Sequence, residues 1–144
     1  MGKLATQIPG DQINIEVDRW TEPFWNAAKE GRLVAPQCAH GHGFRMPPTP
    51  FCPTCNSQDV VWKELPGTGE IYSFVICHRS PYPGVPDFTF APVVVELDGA
   101  PGVRLISTLV DVDTDAIAIG AKVHVDFQSI NGGWKSPVFR LVGP

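Results

Sequence analysis

A mainly β fold, with short strands closing into a small barrel after a single short helix, is what this sequence predicts, on three observations. Turn formers are abundant, with 14 glycines and 15 prolines in 144 residues, and so many chain breaks suit short strands. From Val60 onward the chain runs in short stretches rich in β-branched and aromatic residues, bounded by Gly and Pro. The clearest stretch, Lys122 to Gln128, alternates Val123, Val125 and Phe127 with Lys122, His124 and Asp126, the pattern of a strand with one buried face. Five or six such strands without a long helix among them argue for closure into a barrel, which leaves no exposed edges, and an OB-fold-like barrel fits best.

The chain divides by texture into three segments. Residues 1–35 form an N-terminal arm and helix. Up to residue 19 there is no period, so the arm is expected to be extended. Thr21 then reads as an N-cap, Glu22 and Pro23 occupy the first turn, Phe24, Trp25, Ala27 and Ala28 follow at helical spacing, and Gly31 ends the helix. A helix this short is not stable alone, so Trp20, Phe24 and Trp25 dock on the core or on a partner. Residues 36–59 form a small proline-rich knob, with Pro47-Pro48-Thr49-Pro50 as a stiff connection.

Residues 60–144 supply the barrel, with strands expected at Val60–Leu65, Glu70–His78, Ala91–Asp98, Val103–Val112, Lys122–Gln128 and Ser136–Val142. The loop from Ser80 to Phe90 is long and proline-stiffened, and loops of that kind tend to carry function. Within it Tyr82, Phe88 and Phe90 are candidate interface anchors, because aromatics fixed by proline lose little entropy on binding.

Hydrophobic residues make up 43% of the chain and the mean hydropathy is near zero, as in a soluble globular protein of one compact domain plus an appendage. No apolar stretch of about 18 residues is present to span a bilayer. The opening Met1-Gly2-Lys3-Leu4-Ala5 lacks the apolar core of a secretory signal, so the cytoplasm is the expected location and no membrane partner is expected. Acids outnumber bases, 15 to 11, for a formal charge of −4. That field repels nucleic acid, and no strand interleaves Lys or Arg with aromatics as a single-strand-binding groove would.

Chemistry concentrates in the knob. Three cysteines and two histidines fall in the run Cys38-Ala39-His40-Gly41-His42 … Cys52-Pro53-Thr54-Cys55. Zinc takes four tetrahedral thiolate and imidazole ligands, and two pairs on tight turns close such a site without a hydrophobic core. Cys52 and Cys55 form a C-x2-C pair. Position 41 is glycine, so the fourth ligand after Cys38 is His42 or His40. The spacing favours His42, whose ring can swing back while Gly41 supplies backbone freedom. The expected ligand set is therefore Cys38, His42, Cys52 and Cys55. The competing reading is unlinked thiols, or a Cys52–Cys55 disulfide that leaves Cys38 over. A structural Zn2+ would contribute about 10 kcal/mol to a segment with few large apolar residues, and four protein ligands leave no open position for a reacting water.

No catalytic residues are expected on this chain. Cys77 and His78 are adjacent on a predicted strand and point to opposite faces, which prevents a thiolate–imidazole pair. His78 and Arg79 end that strand, His124 lies on a polar face, and Arg104 lies opposite the apolar face of its own strand. All four read as surface residues. No Ser/His/Asp or paired-carboxylate constellation is present.

The order of several short pieces resembles that of the DUF35 family. They are Pro23-Phe24-Trp25 with Gly31-Arg32-Leu33, then Cys38, Pro47-Pro48, Cys52-Pro53-Thr54-Cys55, Gly67-Thr68-Gly69-Glu70-Ile71-Tyr72-Ser73, Ala91-Pro92-Val93-Val94, Ile119-Gly120-Ala121-Lys122-Val123 and Pro137-Val138-Phe139. Each piece is weak alone; their order covers nearly the whole chain. The resemblance implies a rubredoxin-like zinc ribbon followed by an OB-fold. It also implies a role as a small companion of thiolase-fold enzymes that make or break carbon–carbon bonds in acyl-CoA substrates, such as a phloroglucinol acetyltransferase, acetoacetyl-CoA thiolase assemblies or a steroid side-chain aldolase. The implied partner is a thiolase-fold protein carrying the catalytic residues, and the CoA thioester is substrate of the complex, whose CoA or acyl channel this chain could line. The departure is at Gly41, where the family commonly has a second cysteine, which leaves His40 or His42 to complete the set.

Overall fold

The alternation read in the C-terminal half closes on itself. The computed structural model describes residues 2–143. In chain order its elements are β1 (Leu4–Ala5), α1 (Glu22–Lys29), β2 (Val34–Cys38), β3 (Val60–Glu64), β4 (Thr68–Phe74), β5 (Ala91–Leu97), β6 (Arg104–Leu109), β7 (Val112–Asp113), β8 (Lys122–Ser129) and β9 (Lys135–Leu141), with three short 3-10 turns between them. Five strands form a closed barrel in the order β4-β5-β6-β9-β8, with β8 returning to β4. Neighbours are antiparallel except β6 and β9, which meet in parallel at Leu109 and Phe139. The chain is therefore mainly β with an OB-like barrel, as the strand pattern predicts.

Pleating sends alternate residues inward. On β5 Ala91, Val93, Val95 and Leu97 are buried while Glu96 faces solvent. With Ile71, Leu109, Val123 and Phe139, each at most 1% exposed, they form the barrel core. Gly69 lets β4 close against β5. A Cβ there would stand 2.3 Å from the Glu96 carbonyl oxygen and 2.8 Å from Val95 Cγ1, inside any tolerable contact.

Three features depart from the sequence reading. The strand at 60–64, expected at the head of the barrel segment, pairs instead with β2, Val34 opposite Glu64 through Cys38 opposite Val60. The barrel begins at Thr68. β2 itself was hidden by Pro36, which has no N–H to give a ladder, yet sits paired opposite Trp62. The run expected at 103–112 breaks after Leu109, because Asp111 adopts a left-handed φ of 53°. Val112 and Asp113 then pair with Leu4 and Ala5, so part of the arm is a strand.

The helix forms where predicted, and Gly31 ends it at φ 78°. Thr21 holds the N-cap position as predicted, but its hydroxyl caps no helical N–H and instead accepts the Asp18 N–H (3.1 Å). In the turn leading into the helix the Asp18 carboxylate accepts the backbone N–H groups of Trp20 (2.8 Å) and Thr21 (2.9 Å). Phe24 is buried in the same core as Leu33, Ala35 and Leu65, and Trp25 packs against it. The helix thus docks on the molecule's own core and ties the β2–β3 ribbon to the barrel. No helix of the described residues is long and apolar enough to cross a membrane.

Candidate metal centre

Two tight turns bring the knob's sulfur and nitrogen atoms together. Cys38 ends β2 and its N–H donates to the Gly43 carbonyl (3.3 Å), while the Gly41 N–H returns to the Cys38 carbonyl (3.1 Å). That turn needs Gly41 at φ 86°, a conformation glycine adopts without penalty. In the second turn the Cys52 N–H donates to the Ser57 carbonyl (2.9 Å) and the Asn56 N–H to the Cys52 carbonyl (2.8 Å). Asn56 takes the left-handed position here, at φ 59°, which asparagine tolerates better than most residues.

The result is one cluster: ligand atoms of Cys38, His42, Cys52 and Cys55 all lie within 4.8 Å of one another. Cys38 Sγ is 3.5 Å from His42 Nδ1 and 3.7 Å from Cys55 Sγ. Two sulfurs on a tetrahedral zinc with bonds of about 2.3 Å stand about 3.8 Å apart, so the spacing is that of a coordination shell. All four cysteines are free thiols, which leaves no disulfide in the knob. His40 lies apart, more than half exposed, with its Nε2 3.8 Å from Asp59.

Cys38 and Cys52 are buried and Cys55 is on the surface. The Cys52 thiol is lowered to about 6, chiefly because the Cys55 backbone N–H points at its sulfur, helped by the N–H of Thr54. The Cys55 thiol is raised: the Ser57 N–H pulls it down, but desolvation and the neighbouring Cys38 and Cys52 thiols outweigh it. Three soft sulfur donors and one imidazole suit Zn2+ and not the oxygen-seeking Mg2+ or Ca2+. The donor set thus fits a structural zinc.

The remaining candidates sit elsewhere. Cys77 is half-buried and exchanges backbone hydrogen bonds with Phe90, and His78 Nδ1 lies 3.0 Å from Thr89 Oγ1. His124 is exposed, and Arg104 pairs with Glu96 and lies over the Tyr72 ring at 3.7 Å. Of the loop aromatics, Phe90 is buried with Phe88 packed on it at 5.0 Å, and Tyr82 is half-buried with its N–H held by Ser80.

One feature has no linear signature. A cavity of about 390 Å³ opens where the arm and α1 cross β6, β8 and β9, walled by Ile8, Ile13, Phe24, Trp25, Leu105 and Val138 among others. No ionisable side chain lines it. A second space of about 170 Å³ shares Phe24, Trp25 and Leu105 and extends to Met46, Pro47 and Pro48.

Comparison with known proteins agrees with this architecture. Residues 25–61 match the family described as "ChsH2, rubredoxin-like zinc ribbon domain" and residues 62–128 that described as "ChsH2, C-terminal OB-fold domain". The solved structure "Ltp2-ChsH2(DUF35) aldolase" superposes with a TM-score of 0.79 at 34% identity, covering 89% of this chain and 98% of that one. A "probable enoyl-CoA hydratase alpha subunit" of Thermomonospora curvata is 38% identical over 122 residues, 84% of this chain but 37% of that protein. A "3-oxo-4,17-pregnadiene-20-carboxyl-CoA hydratase alpha subunit" of Mycobacterium tuberculosis is 33% identical over 124 residues, 83% of this chain and 38% of that protein. The chain therefore spans little more than a third of either hydratase subunit. A "DUF35 domain-containing scaffold protein" of Pyrococcus furiosus is 29% identical over 109 residues, 74% of this chain and 77% of that protein. With both halves matched in order and the aldolase-associated chain covered almost end to end, this chain belongs to the DUF35 family, in its ChsH2-type pairing of zinc ribbon and OB-fold.

Proposed function

We propose that this chain is a non-catalytic subunit of a thiolase-type complex that makes or cleaves carbon–carbon bonds in acyl-CoA substrates. Cys38, His42, Cys52 and Cys55 hold its structural zinc, and the catalytic residues belong to a thiolase-fold partner. The observation that carries this reading is the likeness to the DUF35 chain of an aldolase, because it runs through both the ribbon and the barrel.

Three features of the molecule bear on it. No nucleophile–base pair forms around Cys77. The large cavity is mainly apolar, with Ser107, Thr108, Gln128 and Ser136 as its polar groups, and uncharged, which suits the acyl end of a thioester and not its phosphates. Three basic side chains on the barrel are tied to acids, Lys122 to Glu70, Arg104 to Glu96 and Arg140 to Asp111 and Asp126, which disfavours a nucleic-acid groove.

Co-expression with a thiolase-fold chain tests the proposal. The pair is expected to co-purify and to turn over an acyl-CoA that neither chain uses alone. Thioester turnover by this chain unaided, or no association with any thiolase-fold partner, would refute it. The names of two relatives favour a second reading, a hydratase complex, in which the co-purified assembly would add water to an enoyl-CoA without breaking a carbon–carbon bond.

A further inference from the structure

Arg45 is a buried cation without a visible counter-ion. Only 8% of it is exposed. Its Nε donates to the Thr49 carbonyl at 2.8 Å, while Nη1 and Nη2 are shut off from solvent with no hydrogen-bond partner. None of the ion pairs among the described residues includes it. An unpaired guanidinium in such a place is costly, and no external anion reaches nitrogens that water does not. Its neutralising charge has to come from inside the ribbon.

The register shows where. Gln37 bridges Phe44, the Cys38 N–H donates to Gly43 and the Arg45 N–H donates to Pro36 (3.1 Å), so residues 43–45 run antiparallel beside 36–38. Pro36 and Cys38 point to one face of that ladder, and Arg45, opposite Pro36, points to the same face. It is the diagonal neighbour of Cys38, a spacing of about 7–8 Å between backbones and well within the reach of an arginine. Its bond to Thr49 holds the connection that leads into Cys52. One residue therefore shares a ladder face with Cys38 and bonds the connection to the second turn.

We propose that Arg45 is the internal countercharge of the metal centre, an inference that rests on the ligand set proposed above. Three thiolates, one neutral imidazole and a divalent ion carry one net negative charge, and one buried guanidinium balances it. Neither charge is tolerable alone; together they offset each other's desolvation. Metal uptake expels the thiol protons and so creates the charge that Arg45 lacks in the metal-free chain. Arg45 is thus a positioning residue, acting on the ion through its ligands.

The test is chelator-competition affinity for Zn2+ and Co2+ in the full chain and in two variants. Arg45→Gln keeps a donor for Thr49 without the charge; Arg45→Lys keeps the charge without the fork. Arg45→Gln is expected to weaken binding about tenfold or more, with the cobalt–thiolate absorption unchanged in shape. Arg45→Lys is expected to stay within about threefold of the parent. Equal affinity in Arg45→Gln and the parent overturns the proposal, as does an equal loss in both variants, which would reduce Arg45 to a brace. If the parent chain takes up neither ion, the ligand set falls first and the countercharge with it.

Discussion

A single carboxylate organises the helix entry. Asp18 accepts two backbone N–H groups, and its carboxyl is held below the usual 3.8, mainly by the bond from Thr21. A depressed carboxylate stabilises the fold above its unfolded pKa, and that contribution is lost as pH falls through the folded value. Asp18→Ala is therefore expected to lower Tm by a few degrees at pH 7. The gap to the parent, followed by thermal denaturation, should hold steady down to about pH 5 and close below about pH 4. The sequence placed the N-cap at Thr21, where it stands, but not the turn before α1 in which Asp18 holds the Trp20 and Thr21 N–H groups, because that turn depends on the bend of the chain before the helix.

The two knob histidines separate on the same scale. His42 faces the three sulfurs and His40 faces Asp59. His42→Ala should weaken zinc retention about tenfold or more against a chelator, and His40→Ala should change it less than about twofold. Equal losses would mean that the ring near Asp59 swings in to ligate. The spacing in the sequence favoured His42 but left His40 open, because both lie beside the same flexible glycine.

At the scale of elements, the barrel's closure depends on one missing side chain. Gly69 sits where β4 meets both β5 and β8, opposite Leu97 and Val123. Gly69→Ala forces a Cβ against the Glu96 carbonyl, a backbone atom that cannot rotate away. A loss of about 2–3 kcal/mol is expected in denaturant unfolding. The adjoining strands were legible because their burial alternates; β2 and the β1–β7 pair were not. Two residues carry no period, and a strand containing Pro36 reads as a loop.

Across the whole molecule, ribbon and barrel share one core through Phe24, Leu33, Ala35 and Leu65. Chelating the ion should therefore do more than loosen the knob. Amide protection from Cys38 to Cys55 is expected to vanish first in hydrogen exchange, and the Tm of the whole chain to fall with it, while barrel strands stay protected at 25 °C. Intact knob protection after chelation would show that the turns stand without metal. Phe139, fully buried at the parallel β6–β9 contact, anchors the other end of the core. Phe139→Ala should cost about 3–5 kcal/mol by denaturant titration, with zinc still bound in the fraction that folds.

Short-range chemistry wrote the β class, the helix and its glycine stop, and the sulfur and imidazole pairs on two turns into neighbouring residues, where reading the chain alone finds them. The rest was settled by packing between residues far apart in the chain. The 60–64 strand left the barrel for β2, the cavity drew its walls from the arm, α1, β6, β8 and β9, and Arg45 came onto the same ladder face as Cys38 with no acid paired to it. Periodicity reports which side of an element is buried. It carries no information about which partner does the burying, and that choice is made by packing over the whole molecule.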